Sequence, residues 1–406
     1  MSNRQGVWSL SAHLQAIGDT NWLMPPGVPT SVSATAGNTQ ATVAFTAPTF
    51  AGVPGTITGF KVTSSEGETA TGSSSPITVT GLTNGTAYTF TVQAQNSTGF
   101  GGSSSASSSI SPALGRGIFG AGSAGSRVNT IDYVSIASTG NATDFGDLTV
   151  ARQCSPSLMS SSTRCILGSG IEVSVTYATT LDYVTIASTG NATDFGDLTV
   201  GRYGQAGCSN STRAVTFNGD QQSGTDNTID YVTIASTGNA TDFGDTQTTP
   251  RNHGGVASPT RGLRCGGNES NVIEYITIGT TGNSTDFGDL TVYRYSPACA
   301  GSNTRACIAG GEGGSDNQKL NIIDYVTIAS TGNATDFGDM TETLQGAGGT
   351  SNSTRAVYGG GETSSTNRNN IDYITIASTG NAQDFGDLTQ GRRATTCGGD
   401  SHGGIS

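Results

Sequence analysis

Between residues 27 and 112 apolar and polar positions alternate in short runs: Ala41-Thr-Val-Ala-Phe45, Thr56-Ile-Thr-Gly-Phe-Lys-Val62, Ile77-Thr-Val-Thr80 and Tyr88-Thr-Phe-Thr-Val-Gln-Ala94. A period of two places every second side chain on one face, as a sheet with one buried side requires. Pro29, Pro48, Pro54 and Pro76 punctuate the runs. This stretch is expected to be a β-sheet domain. From residue 113 the pattern changes to an internal repeat. Asp-Phe-Gly-Asp recurs with its Phe at 145, 195, 243, 287, 337 and 385, at spacings of 50, 48, 44, 50 and 48 residues. A Tyr stands twelve positions before each, at 133, 183, 231, 275, 325 and 373.

One copy shows how a repeat is expected to be built. Tyr203 to Cys208 forms an inner strand, Arg213-Ala-Val-Thr-Phe217 a second, Thr228 to Ser236 a third, and the outer strand starts at Phe243. Thr237-Gly-Asn-Ala supplies the glycine and asparagine of a tight turn. Six units of about four strands predict a six-bladed β-propeller over 113–406. The first copy opens at Arg116-Gly-Ile-Phe119 without an inner strand, and the chain finishes with Arg393-Ala-Thr-Thr-Cys397. The C-terminal strand is therefore expected to close the ring and remove exposed edges.

Two resemblances follow from these residues. The segment 27–112 resembles a fibronectin type III domain: Leu82-Thr-Asn-Gly-Thr-Ala-Tyr88 fits its tyrosine corner, and Phe45 stands where the family usually has Trp. The repeats resemble kelch blades, with Gly310-Gly311 and Gly360-Gly361 as paired glycines and Tyr325 and Tyr373 after them. Phe337 and Phe385 replace the Trp, and Arg202, Arg294 and Arg392 fit the closing Arg. The expected fold class is all-β: a short N-terminal anchor segment (1–26), a fibronectin-III-like β-sandwich (27–112), and a six-bladed kelch-like β-propeller (113–406) closed by the C-terminal strand.

Composition narrows the function. Charged residues are only 12% of the chain, hydrophobic residues 33%, and Gly alone numbers 60, which suits many short strands and turns. The net charge is −12 and lysine occurs only at Lys61 and Lys319, so the basic cluster that phosphate binding needs is missing. No run approaches the roughly 20 apolar residues of a membrane span. The seven cysteines have no C-x-x-C spacing, and buried free thiols are expected over disulfides.

Candidate binding residues fall in two places. Trp8, Leu10 and Trp22 lie in a segment too short to bury two indoles alone, and are expected to anchor the chain to a partner. In the repeats, the loops after strands two and four vary between copies while the other turns do not. That variable face carries the ligand-binding candidates Tyr203, His253, Tyr293 and Tyr295, with Glu269, Glu312 and Glu362 beside them. Drift of unconstrained loops would give the same variation. On the constant face Arg164, Arg213, Arg261, Arg305 and Arg355 are expected to pair with the Asp-Phe-Gly-Asp carboxylates of their own repeat. His13, His253 and His402 sit in unlike contexts, and no catalytic, metal or cofactor set can be assembled from them.

The short leader, the spacer and the repeats together resemble structural proteins of marine tailed phages. The resemblance implies a virion protein on the particle exterior that docks other virion proteins through its N-terminus. It also implies tail-fibre-type adhesion of the repeats to a host-surface glycan or receptor. A capsid or tail decoration protein with a purely architectural role is the alternative, and a polysaccharide-degrading enzyme a remote one. Neither nucleic-acid binding nor membrane insertion is expected, and homo-oligomerisation is compatible with either main reading.

Overall fold

The structure, a computed structural model, describes residues 23–153, 157–174, 176–222, 224–268, 270–314, 318–364 and 366–405. Two compact units are present, one running to Ala113 and one from Leu114. In the first, the alternating runs become β1 (Thr30–Gly37), β2 (Gln40–Thr46), β3 (Gly59–Ser64), β4 (Thr69–Gly72), β5 (Ile77–Thr80), β6 (Phe90–Asn96) and β7 (Gly99–Phe100). They pair as two antiparallel sheets, β1–β2–β5 and β4–β3–β6–β7. Phe90, Val92 and Ala94 of β6 are fully buried among Val43, Val62 and Val79, so the period of two separates core from surface. Phe45 fills the core against Phe60, with ring centroids 4.8 Å apart. The Tyr88 hydroxyl accepts a hydrogen bond from the Thr83 amide at 3.0 Å, tying the loop before β6 to the strand.

The second unit corrects the expected architecture. Its strands form separate, open antiparallel sheets; among the described residues no sheet closes on itself, and the six-bladed kelch-like propeller closed by the C-terminal strand is not what the strand pairing gives. The C-terminal strand Thr396–Gly399 is one edge of an open four-stranded sheet with β8 (Arg116–Gly120), β9 (Thr130–Ser135) and β10 (Thr143–Asp147). The repeat therefore dictates how each sheet is built, while the strand-to-strand ladder of a sheet ends at its edge strands.

Adjacent sheets are joined by seams, and the seams explain the near-identity of the copies. Gly190 N donates to Phe145 O and Ala192 N to Asp147 O, both at 2.8 Å, while Asp147 N donates to Asn191 Oδ1 at 3.1 Å. Thus each Thr-Gly-Asn-Ala turn covers the Asp-Phe-Gly-Asp edge strand of the preceding repeat, satisfying groups that would otherwise invite another chain. The sixth repeat makes the same contacts to the first: Gly140 N to Phe385 O and Ala142 N to Asp387 O, both 2.7 Å.

The strand-two arginines also belong to the seams. Arg164 does not pair with its own Asp-Phe-Gly-Asp carboxylates. Its guanidinium lies 4.4 Å over the Tyr183 ring, and Nη1 donates to Ile234 O of the next repeat at 2.8 Å. Tyr183 in turn meets Phe195 edge-on, ring centroids 5.8 Å apart. Arg116, Arg213, Arg261, Arg305 and Arg355 stack on Tyr133, Tyr231, Tyr275, Tyr325 and Tyr373 in the same way. A planar guanidinium suits this double duty, cation–π on one face and donor at its edge.

The ion pairs lie deeper. Arg152–Asp182 (2.6 Å), Arg294–Asp324 (2.7 Å) and Arg392–Asp132 (3.0 Å) are fully buried, as is Arg202–Asp230. Two repeats depart. Pro250 stands at the equivalent Arg position, and Arg264 of the neighbouring sheet compensates by pairing with Glu274 at 2.7 Å. Leu344 stands at the other, and among the described residues Asp372 accepts from Thr341 N (2.9 Å) and Thr341 Oγ1 (2.8 Å) with no arginine beside it. Burial pushes the Asp372 carboxyl up, against the Thr341 hydrogen bonds that lower it.

Cys165, Cys208, Cys265, Cys299 and Cys307 are free, buried thiols, as expected, and Cys397 is buried as well; Cys154 lies outside the described residues. Several seat their sulfur over a glycine of an adjoining strand: a Cβ on Gly262 would meet Cys208 Sγ at 2.5 Å. A small apolar side chain and a missing one interlock, which lets the innermost strands approach closely.

Candidate functional site

Gly204, Asn252, Ser296, Gly346 and Ala394 share left-handed backbone, with φ of 76°, 57°, 51°, 66° and 56°. From Asn252 on, each N–H donates to the carbonyl of its counterpart one repeat earlier: Asn252 to Gly204 and Ser296 to Asn252 (2.6 Å each), Gly346 to Ser296 (3.0 Å), Ala394 to Gly346 (2.7 Å). Three of the five are not glycine, and holding them there costs on the order of 1 kcal/mol each, which the inter-repeat hydrogen bonds offset. The backbone is thus locked in one register across successive repeats.

The residue just before each of these positions is different in kind from its neighbours: Tyr203, Arg251, Tyr295, Gln345 and Arg393, with Gln153 the counterpart in the first repeat. All six fall six residues after the last Asp of Asp-Phe-Gly-Asp. Strand pairing brings the loops after strand two against them: Tyr203 pairs with Asp220, Tyr295 with Glu312, Gln345 with Glu362, and Arg393 with Ser123. Gln153 Nε2 donates to the Tyr203 hydroxyl at 2.9 Å. Arg251 Nη1 bonds Asp220 Oδ2 at 2.6 Å, and the Tyr177 hydroxyl donates to the same oxygen at 3.4 Å. Arg393 pairs with Glu362, which Lys319 also reaches at 3.4 Å. Burial pushes the Tyr203 phenol up to about 12 and raises that of Tyr295. Both Arg251 and Arg393 lie within electrostatic reach of both phenols, so the four side chains form one group.

One residue after the left-handed positions 204, 252 and 394 stand Gln205, His253 and Thr395, all fully buried. Gln205 Oε1, His253 Nδ1, Thr395 Oγ1 and, in the outer group, Gln345 Oε1 find no hydrogen-bond partner.

The sequence candidates divide accordingly. Tyr203, Tyr295, Glu312 and Glu362 are brought together. His253 is not on a surface: it is fully buried, its Nε2 is 3.0 Å from Asn218 O, and burial lowers its pKa well below the ordinary value. Tyr293 stands apart from the group, its hydroxyl donating to Gly314 O. Trp8, Leu10, Trp22 and Glu269 lie outside the described residues. Arg251, Arg393, Gln153 and Gln345 were not among the candidates, although aligning the six repeats on their last Asp places them in one column. Among the described residues no three His, Cys, Asp or Glu gather as a metal site, and no helix is long and apolar enough to cross a membrane.

A second polar cluster lies at Asp400–Ile405. His402 Nδ1 accepts from Gly404 N at 3.1 Å, so the ring carries its proton on Nε2, which faces Ser160 O (3.1 Å) and Ser209 Oγ (3.2 Å). Burial lowers His402 to about 4, and burial raises Asp400 to about 6. A histidine held below its unfolded pKa stabilises the fold above pH 6.5, and that stability is lost as pH falls through the folded value. Asp400 works oppositely: its contribution is present below the unfolded carboxylate pKa and is lost as pH rises through about 6. His253 and His402 act against the raised carboxyls of Asp400, Asp372 and Asp230, and the lowered carboxyls of Glu274 and Asp226 act with the histidines, so the melting temperature is expected to fall between pH 6.5 and 4. His402→Gln should flatten that slope in a pH series of thermal melts; an unchanged slope would remove His402 from the account.

Residues 27–110 match the fibronectin type III domain family. The first unit therefore contains a fibronectin type III domain, within an all-β chain. No curated protein matches the chain.

Proposed function

We propose that this chain is a display and adhesion protein of a phage particle's exterior. Its N-terminal segment docks other virion proteins, its fibronectin type III domain acts as a spacer, and its repeat unit binds a host-surface glycan or receptor without catalysing a reaction. One observation carries the binding reading. The six repeats hold their seams almost constant, yet at one equivalent position they carry Gln153, Tyr203, Arg251, Tyr295, Gln345 and Arg393. Residues that served only packing would be expected to repeat like the seams. Tyr and Arg are the side chains that dominate binding hot spots, and half-buried phenols supply rigid contact area at low entropic cost.

The test is the full-length protein on an array of neutral and acidic oligosaccharides, compared with Tyr203→Ala/Tyr295→Ala. Loss of two anchoring phenols should weaken binding by about tenfold or more, with the melting temperature of the fibronectin domain unchanged. If the wild-type protein binds nothing, or the double variant binds equally well, adhesion through this group fails and the architectural decoration role takes its place.

A further inference from the structure

Six arginines are committed to the seams between sheets, and five to buried ion pairs. Arg251 and Arg393 belong to neither set. Each is held by a carboxylate that lies deeper than itself: the Arg251 side chain is 43% exposed against 14% for Asp220, and Arg393 is 38% against 18% for Glu362. The acids anchor the guanidiniums from beneath and leave their forks facing outward. In a chain with a net charge of −12, the more exposed partner of each of these two pairs is its guanidinium, with Glu312 beside Tyr295. The phenols of Tyr203 and Tyr295 lie within electrostatic reach of both guanidiniums, with the Gln153 amide already bonded to Tyr203.

We propose that this group selects a carboxylate-bearing glycan, a uronic or sialic acid type of sugar, over a neutral one. This rests on the adhesion reading above. A guanidinium presents parallel N–H donors that match a carboxylate bidentately, which an ammonium cannot do. The phenols offer flat faces for the sugar ring, and the two side-chain amides bond hydroxyl groups on either side.

The experiment compares full-length protein on immobilised polygalacturonate or alginate and on dextran, with Arg251→Gln, Arg393→Gln and Arg251→Lys. The expected result is retention on the polyuronates and not on dextran. Each Arg→Gln change should cost about tenfold in affinity, Arg251→Lys should fail to restore it, and binding should weaken as salt is raised. Each variant's melting temperature is measured alongside. Should Arg251→Gln disturb the fold by stranding Asp220, Arg393→Gln carries the comparison. Equal binding to dextran and polyuronate, or polyuronate binding untouched by both Gln changes, overturns the proposal. If neutral glycans bind and only the Tyr203→Ala/Tyr295→Ala change abolishes it, the acid selectivity fails while the adhesion reading stands. If no change in the group alters any binding, both fail.

Discussion

Replacing Asp324 by Asn is expected to destabilise the repeat unit by about 3–5 kcal/mol, while the same change at Asp372 costs little or stabilises. The two carboxylates occupy equivalent positions in successive repeats and differ in one partner. Asp324 accepts from Thr291 N at 3.1 Å and from Thr291 Oγ1 at 2.8 Å, and is bonded to Arg294 Nη2 at 2.7 Å. Arg294 is fully buried, and its Nη1 also donates to Ile322 O at 2.9 Å. An amide at 324 keeps the shape and the Thr291 hydrogen bonds but leaves a guanidinium charge in the interior with no counter-charge. Asp372 has the same Thr donors, from Thr341, but Leu344 replaces the arginine. Its carboxyl is pushed up by burial, so its ionised form opposes folding at neutral pH. The sign follows directly: its contribution is most favourable below the unfolded carboxylate pKa and is lost as pH rises through the raised value. A neutral Asn at 372 removes that dependence. Denaturant unfolding of the two variants at pH 7 checks the contrast, and equal losses would mean that the buried arginine is not what distinguishes the sites.

Much of this was legible in the sequence, and what was not has a physical cause. Alternation and the tyrosine corner led directly to the fibronectin type III domain, because period two and a buried Tyr88 are local demands. The repeat led to the strands of each unit for the same reason. What the repeat did not specify was how sheets associate, since sheet-to-sheet contact leaves its mark as near-identity rather than as a pattern. Thr-Gly-Asn-Ala looked like a turn and is one, but its constancy comes from covering the preceding repeat's edge strand. The strand-two arginines looked like carboxylate partners because charge is visible in a sequence and a tyrosine face over which a guanidinium stacks is not.

The candidate group was half legible. Tyr203 and Tyr295 stood out as aromatics in variable loops, yet Tyr293 and His253 stood out equally. Only the backbone separates them. The left-handed residue after Tyr203, Arg251, Tyr295, Gln345 and Arg393 sets these five apart, whereas His253 falls one position later and is buried. Arg251 and Arg393 do not stand out in the sequence because arginine recurs in every repeat, and eleven others lie in seams and buried pairs.

Gly338→Ala is expected to lower the melting temperature of the repeat unit sharply, and Gly380→Ala much less, although both glycines have left-handed φ of 146° and 153°. Both substitutions carry backbone strain of about 1–3 kcal/mol. They differ in surroundings. A Cβ on Gly380 meets nothing within 4 Å, whereas one on Gly338 would lie 2.5 Å from Gly380 O, 2.6 Å from Gly380 C and 3.0 Å from Asn381 N. Those atoms are backbone, so no side chain can rotate away. The seam must open, and with it go the hydrogen bonds from Gly380 N to Phe337 O (2.8 Å) and from Ala382 N to Asp339 O (2.7 Å). Overpacking and the lost bonds add about 2–4 kcal/mol to the strain. Opening one seam also exposes the Thr335–Asp339 strand edge, so the Gly338→Ala protein should aggregate on heating where Gly380→Ala does not. Thermal melts with light-scattering detection read both effects together. Equal shifts for the two variants would show that the turn's own conformation, and not its contact with the preceding repeat, is what the repeated glycines serve.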